Sequence, residues 1–288
     1  MINPPEFLSP IDLPRVWEVF FNELNNAFPW LFRINGDKTM QKIGVLIPYL
    51  NCEQYVEELV LSLASKHPLS IFIINNGSKK SIVDSMSDEV LVGDVQYLES
   101  TSNMGVASAW NRGIRYLFTD EKIDKVLVLN NDILLHPSAI EELATAMDGH
   151  PHPVITATDV ASQCAVPQDV RGLPVPSKRY FTDEPEFSCF MISREGYELI
   201  GEFDPKFHPA YFEDNDYHYR AKLLHKRMVK LNTALYYHYG SRTIKENADV
   251  ADTVNTFYLQ NERYYVTKWG GKPGEEKYTI PFNGKKHE

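Results

Sequence analysis

Val126-Leu127-Val128-Leu129-Asn130-Asn131-Asp132-Ile133-Leu134-Leu135 sets four apolar residues directly before three short polar ones and a second apolar run. Two of the first four are β-branched, and the run reads as a strand buried on both faces, as in a parallel sheet. A carboxylate just past the C-terminal end of such a strand stands where open α/β sheets bind ligands. Asn130–Asp132 can equally be an ordinary polar turn. The flanking sequence decides between the two.

Upstream, Ile43-Gly44-Val45-Leu46-Ile47-Pro48 reads as a buried strand, with Asn51 placed to cap a helix from Tyr55 to Leu63. Ile71–Ile74 is a further strand that runs into Asn75-Asn76-Gly77-Ser78, residues 79–93 read as a polar helix, and Val95–Leu98 is a short strand. Asn103-Met104-Gly105 opens a helix through Ala107, Trp110, Ile114 and Leu117. Strands and helices thus alternate from 43 to 147, which implies βαβ units and a parallel sheet.

Downstream, residues 149–186 hold six prolines and little periodicity, so they read as a long irregular connection. Apolar sequence returns at Phe187–Ile192. A basic helix is expected from Tyr217 to Lys230, a strand over Ala234–Gly240, and an aromatic helix over Thr256–Trp269. Near the start, Pro14 suits a first helical turn, and Val16, Trp17, Val19, Phe20, Leu24, Ala27 and Phe28 repeat at helical spacing. That helix either packs on the main domain or, through residues 14–28, joins copies into a homo-oligomer. The expected division is an N-terminal helical extension (1–40), a ligand-binding half (41–148), a second half of the same domain (149–245) and a C-terminal helix and tail (246–288).

The 288 residues, 43% apolar and 12% aromatic, suffice for one large α/β domain with a full core. Lys plus Arg is 29 against 39 Asp plus Glu, a net charge of −10 that argues against a general nucleic-acid surface. Three scattered cysteines (Cys52, Cys164, Cys189), with no CxxC, suggest a reducing compartment without disulfides or structural zinc. With no apolar run of about 18 residues and no signal-peptide layout at Met1–Pro5, a soluble cytoplasmic protein is expected.

Pro48–Asn51, Asn75–Ser78 and Asn130–Asp132 each follow a strand, and a parallel sheet delivers all three to one edge. Neither GxGxxG nor GxxxxGK[ST] is present, so the glycine cradles of dinucleotide and P-loop sites are missing. The amides opening the helix after Asn103-Met104-Gly105 suit an anion. Together these features suggest a nucleotide held by side chains and a metal.

Five segments in one order resemble the family-2-like glycosyltransferases of GT-A fold: Val45–Asn51, Ile73–Ser78, Asn103–Ile114, Leu129–Asp132, and Gly201-x-Phe203-Asp204 leading to Tyr211-Phe212-Glu213-Asp214-Asn215-Asp216-Tyr217-x-Tyr219-Arg220. The resemblance spans about residues 42–270. It implies a Rossmann-like α/β domain with a mostly parallel central sheet flanked by helices. It also implies metal-dependent, inverting transfer of a sugar from a nucleoside-diphosphate sugar to an acceptor hydroxyl, with Mn²⁺ or Mg²⁺ as cofactor. Asp132 is then the carboxylate of an Asp-x-Asp segment whose first position is Asn130, and His238 matches a late histidine of the metal site. Hard cations accept a single carboxylate when phosphates and water complete the shell.

The resemblance assigns the catalytic base to Asp214, which takes the acceptor proton, with Glu213 orienting the acceptor. Helix capping is the alternative, and it suits Asp216 better. Pro48, Tyr49 and Asn51 would hold base and ribose. Asn75, where the family has Asp, would pair a pyrimidine edge beside Asn76, favouring a UDP- or dTDP-type donor. Asn103, Asn111 and Arg112 would face ribose or phosphate, with Asn131 beside the donor; Arg112 can also be a plain surface residue. The acceptor is expected to be a glycan. An alternative is hydroxymethylated viral DNA, contacted by Lys222, His225, Lys226, Arg227 and Lys230, although such a run is commonly a solvated helix face. A second alternative is a non-catalytic nucleotide-sugar-binding module, suggested by Asn75 and Asn130 standing where acids are expected.

Overall fold

The structure, a computed structural model, describes residues 41–87, 94–240, 242–245 and 248–286. The expected helix and oligomer surface at 14–28 lie outside the described residues. Among those described, the strands are β1 (Lys42–Tyr49), β2 (Leu69–Asn76), β3 (Val95–Ser100), β4 (Ile123–Leu129), β5 (Ile133–Leu135), β6 (Val154–Asp159), β7 (Phe181–Thr182), β8 (Cys189–Ser193) and β9 (Val229–His238). They form one sheet in the order β3-β2-β1-β4-β8-β6-β9-β5, with β7 also on β9. β3, β2, β1 and β4 pair in parallel, β8 runs against β4 and β6, and β9 lies parallel to β6. β5 and β7 both run against β9. The sheet is therefore mixed, with β1–β4, β6 and β9 all pointing one way.

The helices are α1 (Glu53–Ser62), α2 (Ile82–Ser85), α3 (Val106–Leu117), α4 (Ala139–Gly149), α5 (Arg194–Ile200), α6 (Glu213–Leu223), α7 (Arg242–Lys245) and α8 (Ala248–Trp269). The apolar strand runs explain the layering, because successive side chains face opposite sides of a sheet. Leu127 and Leu129 of β4 join one core with Val45, Ile47, Val56, Leu59 and Leu143, under α1 and α4. Val126 and Val128 join the other with Leu46, Trp110, Ile114, Tyr197 and Tyr217, under α3, α5 and α6. A double-faced apolar strand is what this sandwich requires. The edge strand β3 is mostly half-buried or exposed instead.

Several sequence expectations shift. The irregular stretch 149–186 contains β6, whose Val154–Ala157 is fully buried directly after Pro151 and Pro153. The polar helix over 79–93 is reduced to the single turn α2 in its described part. The basic helix over Tyr217–Lys230 is replaced by α6 and the start of β9. His225 takes a left-handed backbone (φ 56°) and the Lys226 N–H returns to the Ala221 carbonyl at 2.9 Å, a C-terminal cap that stops the helix. The cap position of α1 falls on Cys52 rather than Asn51. α8 starts at Ala248, earlier than Thr256. No helix among the described residues is long and apolar enough to cross a membrane.

Candidate active site

The C-terminal ends of β1, β2 and β4 and the start of the antiparallel β8 open on one cavity of about 320 Å³. Its lining includes Pro48, Tyr49, Asn76, Asn103, Asn131, Asp132, Glu213, Asp214 and His238, so segments far apart in the chain meet there.

Register explains the first pair. β5 runs against β9 with Ile133 opposite His238, which sets Asp132 beside the imidazole, and Asp132 Oδ1 lies 3.3 Å from His238 Nε2. The Tyr239 N–H donates to the Asp132 carbonyl at 3.0 Å, and the Arg242 N–H to Asp132 Oδ2 at 2.8 Å. Burial pushes against ionisation of Asp132, yet the His238 hydrogen bond and charge and the Arg242 amide hold its carboxyl below the usual range. Burial likewise lowers His238, but the Asp132 carboxylate outweighs it and raises the imidazole above its ordinary value. An oxygen and a nitrogen donor side by side suit a divalent cation such as Mn²⁺. Among the described residues no group of three or more His, Cys, Asp or Glu could hold an ion, so water and diphosphate oxygens would fill the remaining positions. The pair fits that role.

The second pair sits on the first turn of α6. Tyr211 (φ 76°) and Phe212 (φ 74°), both L-residues without glycine's freedom, adopt left-handed backbone immediately before Glu213. Such conformations cost of order 1–3 kcal/mol each and persist only where surroundings hold them. Here the buried Asn261 of α8 donates to the Ala210 and Tyr211 carbonyls at 2.9 and 3.3 Å. Asp216 does not serve as the cap expected for it. Fully buried, it accepts from Trp269 Nε1 at 2.8 Å and Arg220 Nε at 2.9 Å, and lies 2.6 Å from Lys268 Nζ. Lys268 also reaches Asp204 at 2.7 Å, so α6 is bolted to α8 and to the loop after α5. Glu213 is 6% exposed and its Oε2 has no partner among the described residues. Burial, then the neighbouring Asp214 carboxylate, pushes its carboxyl well above the ordinary range. Burial also raises Asp214, partly offset by the Asn215 N–H on Oδ1 at 2.7 Å.

The expected nucleotide residues divide. Gly77 (φ 98°) allows the loop after β2 to close on Ser102–Asn103, where a Cβ would meet backbone atoms at 2.5 Å. Asn76 thereby donates to Asn103 Oδ1 at 3.2 Å and accepts from the Met104 N–H at 3.0 Å, on the cavity wall. Asn75 is absent from the lining. Its amide donates to Glu99 Oε2 (2.7 Å) and the Lys80 carbonyl (2.8 Å), and its carbonyl accepts from the Ser78 N–H (2.7 Å), so those groups are spent holding the loop. Asn51 is also outside the lining, its N–H bonded to Ser78 Oγ at 2.7 Å. Asn111 is 3% exposed and clamps Phe203, donating to its carbonyl at 2.7 Å and accepting from its N–H at 2.8 Å. Arg112 is exposed on α3, away from the cavity.

Sequence reasoning missed Trp110, Phe187, Ser188 and Tyr211 as cavity residues. In the sequence Trp110 is an apolar helix position inside the family-like segment Asn103–Ile114, with no role of its own attached. The basic run loses its coherence: Arg227 pairs with Asp183 at 2.7 Å and Lys230 with Glu186 at 3.0 Å, on a turn and a strand instead of one helix face.

Three comparisons bear on this geometry. The sequence model of glycosyl transferase family 2 matches residues 44–207. A galactofuranosyl glycosyltransferase of Leishmania donovani is 25% identical over 270 residues, covering 74% of this chain and 60% of that protein. The low-salt glycan biosynthesis hexosyltransferase Agl10 of Haloferax volcanii is 26% identical over 199 residues, covering 64% of this chain and 62% of that protein. The chain thus spans about three fifths of the length of these curated relatives. Among solved structures, GalNAc-T7 with UDP, GalNAc and Mn²⁺ superimposes with a TM-score of 0.55 at 14% identity, over 92% of this chain and 60% of that one. At that identity the likeness concerns architecture, the mixed α/β GT-A fold.

Proposed function

The chain belongs to glycosyl transferase family 2, and on that premise we propose that it transfers a sugar from a nucleoside-diphosphate sugar to the hydroxyl of an acceptor glycan, with inversion. The observation that carries the reading is the meeting of Asp132, His238, Glu213 and Asp214 on one cavity. Asp132 and His238 would hold a divalent cation, Mn²⁺ or Mg²⁺, which would supply positive charge to offset that on a departing diphosphate. Asp214 accepts the proton as the acceptor oxygen attacks the anomeric carbon and the bond to the diphosphate oxygen breaks. A carboxyl raised by burial is the stronger base once ionised, and Asp214 stands at the cavity wall. Glu213, beside it, orients hydroxyls. Pro48, Tyr49, Asn76, Asn103 and Asn131 form the donor side of the cavity. A UDP- or dTDP-type donor is favoured by the resemblance, and GalNAc-T7 was solved with UDP.

A glycan acceptor is preferred over hydroxymethylated DNA because Arg227 and Lys230 are already neutralised by Asp183 and Glu186. The test is incubation with UDP-, dTDP-, GDP- and CMP-linked sugars and Mn²⁺, reading release of the nucleotide. Slow hydrolysis or transfer from one class, abolished by EDTA, is the expected result. Tight binding with no turnover across every donor would leave a non-catalytic binding module instead.

A further inference from the structure

Among the described residues, the buried side-chain nitrogen and oxygen atoms without a hydrogen-bond partner include four on residues lining this cavity: Tyr49 Oη, Trp110 Nε1, Asn131 Nδ2 and Glu213 Oε2. Buried polar groups are nearly always satisfied, so a concentration of orphans among the residues of one cavity marks the place of a missing partner. Trp110 is the informative member. Its indole packs against Phe190 (5.2 Å, 79°), Phe203 (5.0 Å, 64°) and Phe187 (6.4 Å, 30°), which hold the ring in place. Trp269, also deeply buried, spends its N–H inside the fold on Asp216 at 2.8 Å. Trp110 has no such acceptor.

The composition of the orphan set selects the ligand chemistry. An indole N–H and an amide NH₂ only donate, whereas a carboxyl accepts and, when protonated, also donates, and a phenol does both. A diphosphate only accepts, and it is repelled by the Glu213–Asp214 side whenever either carboxyl is ionised. A ring bearing hydroxyls satisfies donors and acceptor together, and the neighbouring Val106, Phe187, Pro209 and Ala210 supply apolar walls for its C–H faces.

Building on the glycosyl-transfer reading, we infer that Trp110 is a specificity-determining residue whose indole N–H donates to a hydroxyl of the sugar seated in this cavity, while Glu213 Oε2 accepts from a hydroxyl. The sugar is either the one attached to the donor or the terminal residue of the acceptor, and kinetics separate the two.

Trp110→Phe keeps an aromatic ring against the three phenylalanines and deletes the N–H. The measurements are UDP affinity, the KM of the retained UDP-hexose in acceptor-independent hydrolysis, and the KM of the acceptor in transfer. A hydrogen bond of ordinary strength predicts a rise on the order of tenfold in one of the two KM values, with UDP affinity unchanged. A rise in the donor value assigns the hydroxyl to the donor sugar, and a rise in the acceptor value to the acceptor. In the wild-type protein, a monodeoxy analogue lacking that hydroxyl loses about the same factor, and loses nothing further in the variant. This arm stands even if the variant folds poorly. Equal KM values in wild type and variant, together with wild-type indifference to every monodeoxy analogue, would overturn the inference while leaving glycosyl transfer intact. Absence of any turnover in the wild type would instead overturn the functional reading on which it rests.

Discussion

Replacing Lys268 by Met tests whether α8 holds the acid-bearing helix in place. Lys268 is 6% exposed, and its ammonium lies 2.7 Å from Asp204 and 2.6 Å from Asp216, with the rings of Trp269 and Phe207 at 5.3 and 5.6 Å. Methionine fills most of the stem volume, so the loss is electrostatic. Breaking a buried pair by removing one partner typically costs about 3–5 kcal/mol, because the remaining charge stays desolvated. For a protein of this size about 2–4 °C is lost per kcal/mol, so the melting temperature should fall by roughly 6 to 20 °C. The pH dependence supplies an independent reading. Burial would raise the Asp204 carboxyl, but Lys268, the Lys206 N–H and Tyr264 bring it below its ordinary value. A group with a depressed folded pKa stabilises above its unfolded pKa, near 3.9, and loses that contribution as pH falls through the folded value. In the variant the depression by Lys268 disappears, and the acid limb of stability should move to higher pH. Urea unfolding from pH 3 to 8 measures both effects. A change under about 1 kcal/mol at pH 7, with an unmoved acid limb, would refute the claim that this network anchors α6.

Asp214→Asn should bind nucleotide as the wild type does but lose about 10²- to 10⁴-fold in transfer rate, the usual contribution of a general base. Normal turnover in that variant removes Asp214 from the mechanism. In the wild type, transfer should fall as pH drops through the raised Asp214 pKa, so the acid limb of the rate profile is expected above the ordinary carboxylate range and should vanish in the variant. Asp132→Ala should abolish the enhancement of UDP affinity by Mn²⁺ measured calorimetrically, while weak metal-free binding survives; an undiminished Mn²⁺ effect would rule out this carboxylate as a ligand. Asn111→Ala orphans both the N–H and the carbonyl of Phe203, for a cost of roughly 2–5 kcal/mol in urea unfolding, with UDP affinity within a few-fold of wild type. A large affinity loss without destabilisation would restore Asn111 to the nucleotide.

What was legible in the sequence follows from how local the physics is. The buried strands announced themselves because β1, β2 and β4 are apolar on both faces, and their polar ends fall on one edge in any parallel arrangement. His238 could be placed because it ends an apolar run, although its partner became visible only with the antiparallel register of β5 on β9. Asn75 and Asn111, expected at the nucleotide, spend hydrogen bonds inside the protein, and the sequence hid both for the same reason. A motif gives a position, whereas a role depends on partners distant in sequence: Glu99, opposite Asn75 in the β2–β3 register, and Phe203, 92 residues beyond Asn111. The run 217–230 looked helical because a charge pattern carries no sign that His225 will adopt left-handed backbone. β6 was hidden by Pro151 and Pro153, which stand immediately before the strand without interrupting it.

Residues 44–207, where the family match lies, contain Asp132 and the nucleotide-side loops, but they stop short of Glu213, Asp214 and His238. The geometry of the acid pair depends on α8. Asn261 holds the two strained residues that aim α6, and Lys268 and Trp269 converge on Asp216, two positions beyond Asp214. A first helical turn bearing Glu213, Asp214 and Asp216 together would favour solvent, because burying several carboxylates is costly. Pairing Asp216 with Lys268 and Arg220 satisfies one of them inside the protein and leaves the other two committed to the cavity wall. The division of labour within that turn therefore comes from the C-terminal helix: the third carboxylate is the anchor, which allows the first two to remain desolvated and raised in pKa where an incoming hydroxyl would meet them.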